Sequence, residues 1–242
     1  MTSLFFEKDE VRQLYKPSTW QSVCWSELEA ALCSNTRLFP CIYGVTGFNK
    51  NNLRFAFLEE MAASQVAAIL SCYLLHAKQY GRYTSLVIFE RPREVQNMES
   101  YREKFWSLLK ELSILDKKPW PQDIPHNIDE PKWEFCFSGE PFFVVCNTPA
   151  HIKRQSRRST GFMVAFQPRW VFQGITDDHR KAEQAFSNVR SRLQDYDFIS
   201  PSPCLGRYGD ENNREYSQYF IDDDNNVPKC PMSQLKINTI VS

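Results

Sequence analysis

Apolar and polar positions along this chain follow two periods. Over 20–33 the residues Val23, Leu28, Ala31 and Leu32 recur at helical spacing, with Ser18 placed to cap the start. Residues 61–80 are apolar on most faces and read as a buried helix. Residues 98–115 carry Tyr101, Phe105, Leu108, Leu109 and Leu112 on one stripe, the mark of an amphipathic helix. A fourth helix is predicted over 177–196, opened by acidic residues that suit a helix N-terminus. Residues 53–58 and 85–90 are short apolar runs and predict strands. The runs 133–137 and 141–147 flank Ser138-Gly139-Glu140 and predict a hairpin, and 162–172 predicts a further strand. Residues 39–44 contain Pro40, which forbids a helix interior, and read as a short strand or extended loop. Gly44, Gly47 and the Asn49–Asn52 cluster read as a turn-rich loop, and the prolines of 119–131 as another.

Helices and strands are interspersed, but the later strands come as a hairpin. The pattern predicts an α+β fold, a mixed and mostly antiparallel sheet flanked by helices, in a single domain. Its bounds are read as 18–226, with a variable N-terminal tail over 1–17 and a C-terminal tail over 227–242.

Composition narrows the function classes. The 242 residues are 42% hydrophobic and 24% charged, enough to bury a core. Aromatics make up 14%, which fits either a thick core or a pocket with flat walls. Lys plus Arg equals Asp plus Glu at 29 each, so the basic excess of a nucleic-acid binder is missing. Eight cysteines contain no CxxC pair, which argues against structural zinc. The first ten residues lack an apolar signal core, and the longest apolar stretch is too short and polar to span a bilayer. The expectation is a cytoplasmic protein with reduced thiols and neither nucleic acid nor membrane as partner. GxGxxG, Walker A and HExxH motifs are absent, as is GxSxG in its strand–turn–helix context.

Three constellations could carry chemistry. In Asn147-Thr-Pro-Ala-His151-Ile-Lys-Arg154-Gln-Ser-Arg157-Arg158 a strand gives way to a cationic loop. His151 could ligate a metal or haem, and Arg154, Arg157 and Arg158 could hold carboxylates or propionates, or the loop is solvated surface. In Phe39-Pro40-Cys41-Ile42-Tyr43-Gly44, Cys41 is either a thiolate ligand or nucleophile, or a small buried side chain. From Tyr208 to Asn225 the carboxylates Asp210 and Glu215 and the run Asp222–Asp224 could grip a cation or form a solvated acidic turn.

Read in order, five blocks resemble the YqcI/YcgG family: Phe39–Gly44 with Leu53–Phe57; Trp133–Phe143; Asn147–His151 with Arg154–Arg157; Phe166–Phe172; and Tyr208–Asp210 through Asp223–Asn225. Tyr216 stands where the family pattern carries Trp. Several members are haem-dependent N-hydroxylases of guanidino groups. The resemblance therefore implies a haem b monooxygenase that N-hydroxylates arginine or a related small molecule, served by an electron donor that the sequence does not name. It also leaves room for a homodimer. On that reading haem is expected between the sheet and the 61–80 helix, with His151 at a strand edge beside cations as axial ligand and Cys41 as its rival, Arg154 and Arg157 on the propionates, and Asp210 and Glu215 on the substrate. The alternatives are a non-catalytic haem or small-molecule binder and a structural protein whose aromatics are plain core.

Overall fold

The computed structural model describes residues 3–173 and 179–226. Its frame is one five-stranded sheet: β1 (Leu53–Leu58), β2 (Ser85–Glu90), β3 (Phe135–Phe137), β4 (Glu140–Asn147) and β5 (Met163–Pro168), in the order β1-β2-β5-β4-β3. β1 and β2 are parallel, with Leu53 beside Ser85, and all other pairs are antiparallel. A parallel pair needs a crossover, which α4 (Ala63–Leu74) supplies.

Side-chain alternation sends each strand into two cores. Phe55, Val87, Phe89 and Met163 face Val11, Trp25 and Phe48, which come from α1 (Lys8–Leu14), α2 (Trp20–Cys33) and α3 (Ile42–Asn49). Ala56, Leu86, Ile88, Val164 and Phe166 face α4 and α5 (Met98–Leu115), meeting Val66, Leu70, Phe105 and Leu109. α6 (His179–Tyr196) packs against the 3₁₀ turn Gln155–Arg157 in the loop between β4 and β5.

The helix over 20–33, the strands over 53–58 and 85–90, and the helix over 98–115 stand where the pattern puts them. Elsewhere the structure departs from it. The N-cap of α2 is Thr19, not Ser18, with its hydroxyl accepting from Ser22 N–H. Residues 5–15 are no tail: Phe6 bridges to Phe55 and Val11 is buried. The 61–80 helix stops at Leu74 and tightens into a 3₁₀ turn over Ala77–Tyr80. β5 stops at Pro168, and Arg169–Phe172 is 3₁₀. The first residues of the 177–196 helix, 177 and 178, lie outside the described residues, as do 227–242.

The largest departure is Phe39–Gly44. Pro40 precedes a helix instead of excluding one, and Cys41 is the N-cap of α3. Gly47, a poor helix former, is required by packing, because a Cβ there would lie 2.3 Å from the Tyr83 carbonyl.

β3 has only three residues, so the far half of β4 would present an open edge. The chain covers it with its own Tyr219. Cys146 N–H donates to the Tyr219 carbonyl at 3.0 Å. The Tyr219 hydroxyl donates to the Phe142 carbonyl at 2.9 Å and accepts from Phe135 N–H at 3.1 Å. Tyr219→Phe strands two buried backbone groups, and we expect a loss of about 2 kcal/mol in urea unfolding with an unchanged slope. A loss below about 0.5 kcal/mol would mean the phenol does not hold this edge.

Candidate site around the cationic loop

After β4 the chain makes a tight excursion and returns: Thr148 N–H donates to Arg157 O at 3.0 Å, and Ser159 N–H to Thr148 O at 3.3 Å. Within this loop His151 is fully buried. Its Nε2 lies 2.9 Å from the Ile221 carbonyl, and its Nδ1 lies 2.9 Å from the Thr148 hydroxyl. A carbonyl only accepts, so Nε2 carries the proton and Nδ1 accepts from Thr148. Burial pushes the imidazole down to about 4, against the pull of the Ile221 carbonyl, and the Arg157 charge pushes it further. His151 is neutral at physiological pH.

The acidic run is the loop's partner and not a solvated turn. The Asp223 carboxylate accepts from three consecutive N–H groups, those of Ile152, Lys153 and Arg154, at 2.7–3.0 Å. Burial opposes its charge, yet these donors hold its pKa below the usual carboxylate range. Arg154, 1% exposed, donates to the carbonyls of Asp222 and Asp224 and to Asn225 Oδ1. Its Nη1 is buried without a hydrogen-bond partner, 3.9 Å from Asp197 Oδ2. Asp197 in turn accepts from the Ser156 N–H and hydroxyl.

Arg157 is the hub. It is buried and donates to the carbonyls of Gln218 at 3.0 Å and Tyr219 at 3.4 Å. Burial pushes it down to about 10, and Arg154 adds to that, while Cys146, Asp197 and Cys41 pull it up. It stays protonated at neutral pH. Cys41 Sγ accepts from Gly44 N–H at 3.3 Å. Burial raises the Cys41 thiol, and Gly44 N–H and Arg157 pull it back. The structure thus gathers His151, Arg154, Arg157 and Cys41 into one electrostatic neighbourhood.

It does not gather Asp210 and Glu215. Asp210 is exposed and lines an open groove of about 440 Å³ beside α6, with Arg190 and Phe186. Glu215 is buried and already holds a cation: Arg169, which donates to Glu215 at 2.6 Å and through Nε and Nη2 to Glu134. Were both carboxyls ionised around one guanidinium, one negative charge would be uncompensated. Burial pushes Glu134 up to about 8 and raises Glu215 as well, against the pull of Arg169. Glu134, Arg169 and Asp197 were not singled out by sequence reasoning. Their signal was a charge inside an apolar run, as in Trp133-Glu134-Phe135, which a strand tolerates only when the charge is paired.

This arrangement does not fit a haem on His151. Both ring nitrogens are engaged, and both loop guanidinium groups are bonded to backbone carbonyls. The space between the sheet and α4 is filled by Leu70, Leu86, Ile88 and Phe105. Among the described residues no three His, Cys, Asp or Glu side chains converge as a metal-ion site, and the seven described cysteines are free thiols. No described helix is long and apolar enough to cross a membrane.

The YqcI/YcgG family model matches residues 28–233 of this α+β domain, and the chain belongs to that family. It is 39% identical to the uncharacterized protein YqcI of Bacillus subtilis over 98% of this chain and 96% of the relative. It is 42% identical to the uncharacterized protein YcgG of the same organism, over 90% and 89%. A more distant relative, 28% identical over 81% of this chain and 78% of its own, is a Streptomyces lavendulae protein with the provisional name N(omega)-hydroxy-L-arginine synthase DcsA. No solved structure matches.

His151 also makes a pH prediction. Its folded pKa of about 4 lies below the ordinary 6.5, so between these values the unfolded chain binds more protons. This contribution to stability is full above pH 6.5 and is lost as pH falls toward 4. In His151→Gln the amide keeps a donor for Ile221 O but cannot titrate. We expect the variant to lose about 2 kcal/mol less than wild type between about pH 7 and pH 4.5. Parallel pH profiles would show that His151 is not a buried neutral imidazole.

Proposed function

We propose that the chain is an oxidoreductase that N-hydroxylates a guanidino or amine group of arginine or a related small molecule. The observation that carries this reading is the similarity to the Streptomyces protein whose name describes that product. The match covers four-fifths of this chain. The reaction replaces an N–H bond with N–OH. One oxygen atom of dioxygen is inserted, the other leaves as water, and two electrons come from an external donor. With hydrogen peroxide as oxidant, no donor is needed.

Haem b is the redox group we propose, held elsewhere than on His151, whose two ring nitrogens are already engaged. When bound, it would supply the oxygen-activating chemistry. The chain's own part is to bind and orient the substrate and to keep water from the reacting nitrogen. Because His151 and the loop arginines already satisfy the backbone of 218–225, a second reading is a small-molecule binder without turnover. Localisation in the cytoplasm is part of the same proposal.

The two readings separate in one experiment. The protein is purified with haem supplied, its visible spectrum is recorded, and arginine and simple guanidines are added with dioxygen and a reductant, or with peroxide. A Soret band and a product heavier by one oxygen atom are expected. A colourless protein that takes up no haem and leaves every guanidine unchanged would overturn the enzyme reading.

A further inference from the structure

The outer side of the cationic loop closes a cavity of about 270 Å³ against α2 and the end of α6. Its volume is at the small end for a ligand site, suited to a molecule of amino-acid size and not to a macrocycle. Its lining has opposite charges at two places. Glu27 reaches it from α2 and Arg158 from the loop, and Asn147 and Gln155 add neutral polar groups to the lining. The far wall is apolar, built by Phe39 and Tyr196, whose rings meet edge to face at 5.5 Å.

Both charges are held in place from one side. Glu27 Oε2 accepts from Thr160 N–H at 2.6 Å, and Arg158 Nη1 donates to His151 O at 3.0 Å. Both anchors, Thr160 N–H and His151 O, belong to the same loop. The aromatic wall already accepts a guanidinium. Arg37 stacks over the Tyr196 ring at 4.2 Å and donates to the Tyr196 carbonyl at the negative end of α6. Cys24 is also in the lining, but burial followed by the Glu27 charge pushes its thiol up to about 12, so it is wall and not nucleophile.

We infer that this cavity binds a small dipolar molecule, a basic α-amino acid, with its side-chain cation on Glu27 and its carboxylate on Arg158. The choice of a guanidino group over another cation rests on the N-hydroxylation reading; the dipolar character rests on the cavity itself. Binding here is transmitted inward, since Arg158 holds the carbonyl of His151. The loop is therefore one wall with two sides: its inner side grips the C-terminal segment, and its outer side grips the ligand.

The test is calorimetric titration of the full chain with L-arginine and with agmatine, which has the guanidino group and no carboxylate. Glu27→Gln keeps an acceptor for Thr160 N–H, and Arg158 is exposed, so both variants are expected to fold; equal thermal unfolding checks this. We expect Glu27→Gln to weaken both ligands about tenfold or more. We expect Arg158→Gln to weaken L-arginine about tenfold and to leave agmatine within about twofold. Wild-type protein that does not bind L-arginine, or variants that bind it like wild type, would overturn the inference. Binding that responds to both variants without any oxygenated product keeps the pocket and removes N-hydroxylation. Product formed with KM unchanged in both variants does the reverse.

Discussion

Two guanidinium groups buried side by side, those of Arg154 and Arg157, set the terms for the rest of this structure. A buried cation needs hydrogen-bond acceptors, and each missing one costs on the order of 1–3 kcal/mol. Water has little access to these groups, and among the described residues no carboxylate forms an ion pair with Arg157. The chain supplies carbonyls instead, from Gln218, Tyr219, Asp222 and Asp224. That requirement fixes the path of the C-terminal segment, and the segment then caps β4, engages His151 Nε2 and places Asp223 under the loop's N–H groups.

The same arrangement accounts for three features at once. It keeps His151 neutral, because a second full charge beside Arg157 would go unsolvated. It tolerates Cys41 and Cys146 beside Arg157, since burial keeps both thiols protonated. It also leaves the loop's outer side free to build the cavity that Glu27, Arg158 and the Phe39–Tyr196 wall enclose. The second buried cluster, Glu134–Arg169–Glu215, sets two carboxyl groups around one guanidinium and ties the ends of β3 and β5 to the 3₁₀ turn over Glu215–Gln218.

Much of the fold was legible in residue order. The helix over 98–115 declares itself by the Tyr101–Phe105–Leu109–Leu112 stripe, and β1 and β2 by short apolar runs with polar ends. α3 was not legible, because Pro40, Gly44 and Gly47 carry the local propensities of a turn while close packing against Tyr83 decides the outcome. At the site, His151, Arg154 and Arg157 stood out as residue types at a strand end, and the structure does bring them together with Cys41. Their partners could not be read, since sequence shows a donor but not the carbonyl seventy residues away that receives it. Glu215 looked like a free anion for the same reason: Arg169 is distant in sequence and near in space.

The placement of Tyr219 has a consequence for the order in which the molecule is made. Everything that segment completes, the β4 edge and the two buried cations, is synthesised before it. At translation rates of about 5–20 residues per second, the loop and β4 wait several seconds for their acceptors. During that interval the nascent chain carries an open strand edge and two cations that are still hydrated. The charges discourage premature burial of the loop, and with it the pairing of that edge to a neighbouring chain.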